Sequence, residues 1–141
     1  MECEFPTVNC DISEIKEIFG NTKTIAIIGC SPDPDKASNM VAAYLQGAGF
    51  KIVPVYPKEE TILGEKVYRS LSEIPFKVDM VDIFRKPAEI ANVVDECVKR
   101  GDVDCVWTQL GLVNNEAAAK AKDSGMKVVQ SRCTKIEHRK L

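Results

Sequence analysis

The residues best placed to do chemistry lie in Gly29-Cys-Ser-Pro-Asp-Pro-Asp-Lys-Ala-Ser38, between the apolar run Thr24-Ile-Ala-Ile-Ile28 and a helical pattern. A loop that leaves a buried strand and opens a helix can offer helix N-terminal amides to a phosphate. Ser31, Lys36 and Ser38 would add hydroxyl and ammonium donors; without a ligand the serines would cap the turn and the helix, and Lys36 would be solvated. A dinucleotide fingerprint needs Gly-x-Gly-x-x-Gly at this place, and only Gly29 is present, with Ser31 and Pro34 where later glycines would fall. It also needs an acid about twenty residues further on for the ribose 2′-hydroxyl. Here that stretch is Val53-Pro-Val-Tyr-Pro57, with nothing acidic before Glu59. Val55, Tyr56 and Pro57 suit an adenine face or an uncharged pocket wall, so an NAD(P)-binding oxidoreductase-type domain is the weaker alternative.

A second cluster, Phe84-Arg-Lys-Pro87, puts an apolar edge, two cations and a helix start into four residues. Arg85 or Lys86 could neutralise a phosphate, or the pair could be a solvated loop. Catalytic constellations are not legible. His138 is the only histidine and sits in the polar tail Lys135-Ile-Glu-His-Arg-Lys140, a poor place to fix a general base. Asp79 and Asp82 share a strand with opposite parity and do not form a carboxylate dyad by spacing. The cysteines, Cys3, Cys10, Cys30, Cys97, Cys105 and Cys133, contain no Cys-x-x-Cys pair. They read as reduced thiols, with no metal site.

These loops need elements to hold them. Apolar residues at 12, 15, 18 and 19 predict a helix over 11–19, stopped by Gly20-Asn21 and forming, with the residues before it, a lead-in over 1–22. The spacing then predicts strands at 24–28, 51–56, 78–84, 104–107 and 127–129. Helices are predicted at 37–48, 87–100, 114–124 and 134–139, with Pro87 suited to a first helical turn. Thr61 to Tyr68 reads as a turn-rich excursion and 71–74 as one helical turn. Strands alternating with helices imply a parallel sheet covered on both faces. The expected architecture is α/β: a Rossmann-like three-layer sandwich with a five-stranded, mostly parallel sheet, in one domain over 1–141. In such a sheet, ligands bind outside the carboxyl ends of the strands.

The 141 residues are 45% apolar and 28% charged, with formal net charge −2 and a pI of about 5.5. That balance carries no electrostatic footprint for nucleic acid or an anionic membrane. No apolar stretch is long enough to span a bilayer, and Met1-Glu-Cys-Glu-Phe5 lacks the basic and apolar regions of a secretory signal, so a cytoplasmic location is expected.

Six segments in order carry a resemblance. Ile28-Gly-Cys-Ser-Pro32, Pro54-Val-Tyr-Pro57, Leu63-Gly-Glu-Lys-Val-Tyr68, Val81-Asp-Ile-Phe-Arg85, Val106-Trp-Thr-Gln-Leu-Gly111 and Arg132-Cys-Thr-Lys-Ile-Glu-His138 resemble the stand-alone coenzyme-A-binding domain family. That family is similar to the CoA-binding domain of the succinyl-CoA synthetase α subunit. The resemblance implies CoA or an acyl-CoA as ligand, bound without catalytic machinery of the chain's own, for a carrier, a sensor or a partner subunit. It implies that Gly29, Ser31, Lys36 and Ser38 take phosphate oxygens, and that Val55, Tyr56 and Pro57 line the nucleotide pocket. Phe84 and Pro87 would pack along adenine or pantetheine, and Gln109 and Gly111 would meet the pantetheine arm. Gln109 could equally make a loop-internal hydrogen bond. Cys30 stands beside the presumed phosphate site, where a helix N-terminus can lower a thiol's pKa, so a mixed disulfide with CoA is conceivable there. The CoA thiol, however, lies far from its phosphates. The acyl group, a protein partner and homo-oligomerisation stay open.

Overall fold

The structure, a computed structural model, describes residues 5–141; Cys3 lies outside them. A five-stranded sheet is built from β1 (Thr24–Ile28), β2 (Lys51–Val55), β5 (Met80–Ile83), β6 (Cys105–Thr108) and β7 (Lys127–Val129). Its order is β2-β1-β5-β6-β7, and every neighbouring pair is parallel. β3 (Thr61–Ile62) and β4 (Glu65–Lys66) form a separate antiparallel pair inside the excursion that reads from sequence as turns. The expected turn at 71–74 is a short 3-10 segment, Leu71–Glu73.

The apolar strand runs follow from burial on both faces. Ile25, Ile27, Ile52, Met80, Cys105, Trp107 and Val129 face one helical layer, and Ala26, Ile28, Val53, Val81, Ile83, Val106 and Val128 face the other. This period of two is the strand pleat, and only a sheet covered on both sides makes both phases apolar. The first layer holds α1 (Ile12–Asn21), α2 (Ala37–Gly47) and α5 (Thr134–Arg139); the second holds α3 (Pro87–Arg100) and α4 (Asn115–Asp123). Pro54 is tolerated because β2 is an edge strand. The outer side of β2 meets the chain again at Tyr68, whose N–H donates to the Pro54 carbonyl at 3.0 Å.

α1 begins at a capping box: the Asp11 carboxylate accepts from the Glu14 N–H, and the Glu14 side chain accepts from the Asp11 N–H. The lead-in is tied to the far strand by a reciprocal pair, the Asn9 amide donating to the Gln130 carbonyl and accepting from the Gln130 N–H, each at 3.0 Å. His138 is part of the packing rather than a solvated tail group. Its ring lies edge-on to Phe19 and Phe50, with Nδ1 2.9 Å from the Tyr44 hydroxyl.

The break in strand order falls between β1 and β5, from which the chain departs in opposite directions along the sheet. Crevices at the carboxyl ends of the strands open at such a switch point. Gly29, directly after β1, and Phe84, directly after β5, sit at this place.

Candidate functional site

Gly29 shapes the crevice by what it lacks. Its φ is +83°, and a Cβ there would stand 2.7 Å from the Phe84 carbonyl oxygen. Only a glycine combines that backbone with so close an approach of β1 to β5. Gly29→Ala is expected to cost about 1–3 kcal/mol, read as a lowered thermal midpoint. Gly20→Ala in α1, with no atom within 4 Å of the added carbon, serves as the control and should leave stability unchanged or raise it.

The loop after Gly29 is braced from within. The Ser31 N–H donates to the Ser38 hydroxyl at 2.9 Å, the Asn39 amide donates to the Ser31 carbonyl at 2.9 Å, and the Ser31 hydroxyl accepts from the Asp33 N–H at 3.1 Å. The two serines therefore cap the turn, and Ser38 is buried. Lys36 precedes α2, is exposed, and makes no ion pair among the described residues.

Helix starts at this end of the sheet differ in their capping. α1 and α4 carry side-chain N-caps, Asp11 and Asn114. The six-residue α5 begins at Cys133 without one, and α2 and α3 begin at Lys36 and Lys86 with no side-chain cap. Their first N–H groups are left to solvent or to a ligand, and the positive ends of two helices flank one crevice. Pro87 at the start of α3 has no N–H to satisfy, and the Asn114 amide holds the Pro87 carbonyl at 3.1 Å.

A cavity of about 460 Å³ lies beside these helix starts. Ala37 and Val41 of α2 form one wall, and Phe84, Arg85, Lys86 and Pro87 another. Gln109, Leu110, Leu112 and Cys133 close it. The lining is mainly apolar with cations at one margin, which suits a ligand with an anionic head and a slender, weakly polar arm. On the other side of Arg85 a smaller cleft of about 190 Å³ is bounded by Ile28, Val55, Arg69, Ser70 and Glu89, so Arg85 is shared by both.

A family profile described as a CoA binding domain matches residues 23–139, most of the chain. The chain belongs to the CoA-binding domain family. It is 40% identical over 126 residues to "Uncharacterized protein YneT" of Bacillus subtilis, covering 89% of this chain and 93% of that one. It is 30% identical over 130 residues to "Acetate--CoA ligase [ADP-forming] II subunit alpha" of Pyrococcus furiosus, covering 85% of this chain but 28% of that subunit. The structure matches that of a hypothetical protein from Pyrococcus horikoshii OT3 with TM-score 0.90 at 38% identity, over 100% of this chain and 99% of that one.

Within this CoA-binding domain, the residues expected from sequence divide into three groups. Phe84, Arg85, Lys86, Pro87 and Gln109 meet in the larger cavity. Gly29, Ser31, Lys36 and Ser38 form the adjoining loop, whose hydroxyls are engaged as caps. Val55 is buried and reaches only the smaller cleft; Tyr56 packs against the α2 layer, Pro57 is exposed, and neither lines either cavity. Gly111 is exposed, its N–H donating to the Ser131 hydroxyl at 3.0 Å. The Tyr56 and Lys58 carbonyls are held by the Arg69 guanidinium at 3.0 and 2.9 Å, an arrangement with no sequence signal at Arg69.

The cysteine expectation is corrected. Cys30 is fully buried under the loop, and burial, reinforced by Asp82, pushes its thiol up to about 12. The side chain points into the α2 layer, so the helix start does not activate it. Cys133, half-buried at the start of α5, is the thiol that lines the cavity. Ala37, Val41, Leu110 and Leu112 line it too, and their apolar side chains carry no signal in the sequence that marks them for a site.

No described helix is long and apolar enough to cross a membrane, and no group of three or more His, Cys, Asp or Glu could hold a metal among the described residues.

Proposed function

We propose that this chain binds coenzyme A or an acyl-CoA in the crevice between β1 and β5, as a carrier, sensor or partner subunit without catalytic machinery of its own. The observation that carries the reading is that the uncapped starts of α2 and α3, beside cations that make no ion pair among the described residues, open onto an apolar cavity. The phosphates lie over the starts of α2 and α3 within reach of Lys36, Arg85 and Lys86. The arm runs along Phe84, Pro87, Leu110 and Leu112. The crevice is open at the nucleotide end, where Arg85 separates the cavity from the smaller cleft. Support for a partner role comes from the longer relative: this chain corresponds to 28% of a subunit named as an acetate–CoA ligase. NAD(P) is the poorer fit, because β2 ends at Val55 with no acid to meet a ribose diol.

Isothermal calorimetry at low salt tests the reading. CoA should bind, and Arg85→Ala should weaken it about 10- to 100-fold, the loss of a charge-assisted contact to phosphate. Lys86→Ala should act in the same direction, and both effects should shrink as salt rises. Binding of NAD with no heat from CoA overturns the proposal.

A further inference from the structure

One wall of the larger cavity carries a polar device that CoA binding in general does not require. Asp82 lies in the middle of the sheet on the α2 face and is fully buried. Its carboxylate accepts two hydrogen bonds, from Gln109 Nε2 at 2.6 Å and from the Thr134 hydroxyl at 2.9 Å. Gln109 Nε2 also reaches the Thr134 oxygen at 3.0 Å. Both donors thus point at Asp82, an arrangement that suits an ionised carboxylate, which only accepts. The Gln109 amide nitrogen is turned inward, and its carbonyl is the remaining polar atom of a side chain that lines the cavity. That oxygen makes no hydrogen bond among the described residues and is not among the fully enclosed unsatisfied atoms.

We propose that Asp82 and Thr134 hold Gln109 with its carbonyl toward the cavity, making it the acceptor for an amide N–H of the ligand's arm, and that protonating Asp82 turns the amide over. This rests on the reading of the ligand as CoA, whose pantetheine arm carries two amide N–H groups. The physical reason for the reversal is a conflict of donors. A protonated Asp82 has an O–H to place: Oδ1 faces the Gln109 N–H₂, and the Thr134 hydroxyl facing Oδ2 could accept it only by giving up its own donor bond to the carboxyl group. Rotating Gln109 by half a turn resolves this, since its carbonyl then accepts from Asp82. The cavity wall then presents N–H₂ to a ligand group that is itself a donor. Gln109 is a positioning and specificity residue in this scheme, and Asp82 acts through it.

The titratable groups that face Asp82 or lie near it come from β1's loop, β6 and α5. Burial pushes the Asp82 carboxyl up to about 7, against the lowering effect of Gln109 and Thr134. Cys30 faces it from the loop after β1 and Cys105 from β6, and burial pushes both thiols up, so they stay neutral. On α5, Cys133 precedes Thr134, Glu137 pairs with Arg132 and Lys140, and His138 bonds the Tyr44 hydroxyl.

The test uses dephospho-CoA, which lacks the 3′-phosphate that would titrate in the same range. Calorimetry should show affinity falling about tenfold from pH 8 to pH 5.5 in the wild type, the worth of one hydrogen bond replaced by a donor–donor contact. Asp82→Asn should abolish the pH step, and His138→Gln should keep it. A wild-type affinity that does not change with pH, or a step that survives in Asp82→Asn, overturns the proposal. If neither CoA nor dephospho-CoA binds at any pH, it is the ligand reading that fails, and NMR of the free protein still decides the switch. Contacts between the Gln109 side-chain amide protons and the Thr134 methyl should be present at pH 8 and lost at pH 5.5. Their persistence at both pH values overturns the reversal.

Discussion

Arg100→Ala is expected to lower the unfolding free energy by about 3–5 kcal/mol, the cost of breaking a largely buried, hydrogen-bonded ion pair from one side. At the end of α3 the guanidinium donates to the Leu71, Ile74 and Phe76 carbonyls at 2.7, 2.9 and 2.8 Å. It also grips Asp102 in two bonds of 3.0 and 2.8 Å. Alanine removes all of these donors at once, although the Leu71 carbonyl keeps the Ile74 N–H and Asp102 keeps the Val78 N–H. The chain from Leu71 to Phe76 is irregular apart from one 3-10 turn, so it has little ladder of its own to fall back on. Burial alone would raise the Asp102 carboxyl, but the Arg100 bonds and the Val78 N–H outweigh it and hold the carboxyl below its usual range. Urea titration should give a lower midpoint with an unchanged slope. Limited proteolysis should open the 70–77 segment, which borders the smaller cleft through Ser70 and Leu71. A variant within 1 kcal/mol of wild type would mean that water replaces the guanidinium without loss.

Asp82 carries the second large effect, with the opposite sign to most carboxylates. Burial lifts its carboxyl in the folded protein to about 7, against 3.8 for an unperturbed Asp, so the folded protein keeps a proton that the unfolded chain has released. Stability attached to this group is therefore full below pH 4 and is lost as pH rises to 7. The difference corresponds to something on the order of 4 kcal/mol. Asp79 and Asp102, both held low by their hydrogen bonds against burial, act the other way and gain stability as pH rises through the acid range. The difference between wild type and Asp82→Asn isolates the one group. Relative to wild type, the variant should gain stability steadily from pH 4 to pH 7 and then level off, measured by denaturation at fixed temperature. A constant difference across that range would show that Asp82 is already ionised in the folded protein at pH 4.

The strands after Thr24, Lys51 and Met80 were legible because parallel strands buried on both faces are apolar in both phases of the pleat. The four longer helices were legible because each presents one stripe to that sheet. Their ends moved by one or two residues, as at α1, which runs to Asn21. The hairpin of β3 and β4 was not legible, since strands of two residues carry too little alternation to distinguish them from turns. Nothing in the sequence singles out Arg69 or Arg100. Their roles depend on carbonyls at 56, 58, 71, 74 and 76, and carbonyls leave no trace in residue type.

By itself the sequence determined the layered parallel sheet, the placing of the polar loops at its carboxyl edge, and the mismatch with a dinucleotide loop. All of these follow from local pattern and residue type. Which loop residues share a cavity was a tertiary matter. Arg85, Lys86 and Pro87 meet Ala37, Leu110 and Cys133 only because the strand order reverses between β1 and β5. The same holds for orientation. Cys30 stands beside Gly29 in the loop yet turns into the core. Gln109 turns its amide nitrogen inward because Asp82 and Thr134, 27 and 25 residues away, accept from it. Chain neighbours set where a side chain starts; its distant partners set which of its atoms the ligand meets.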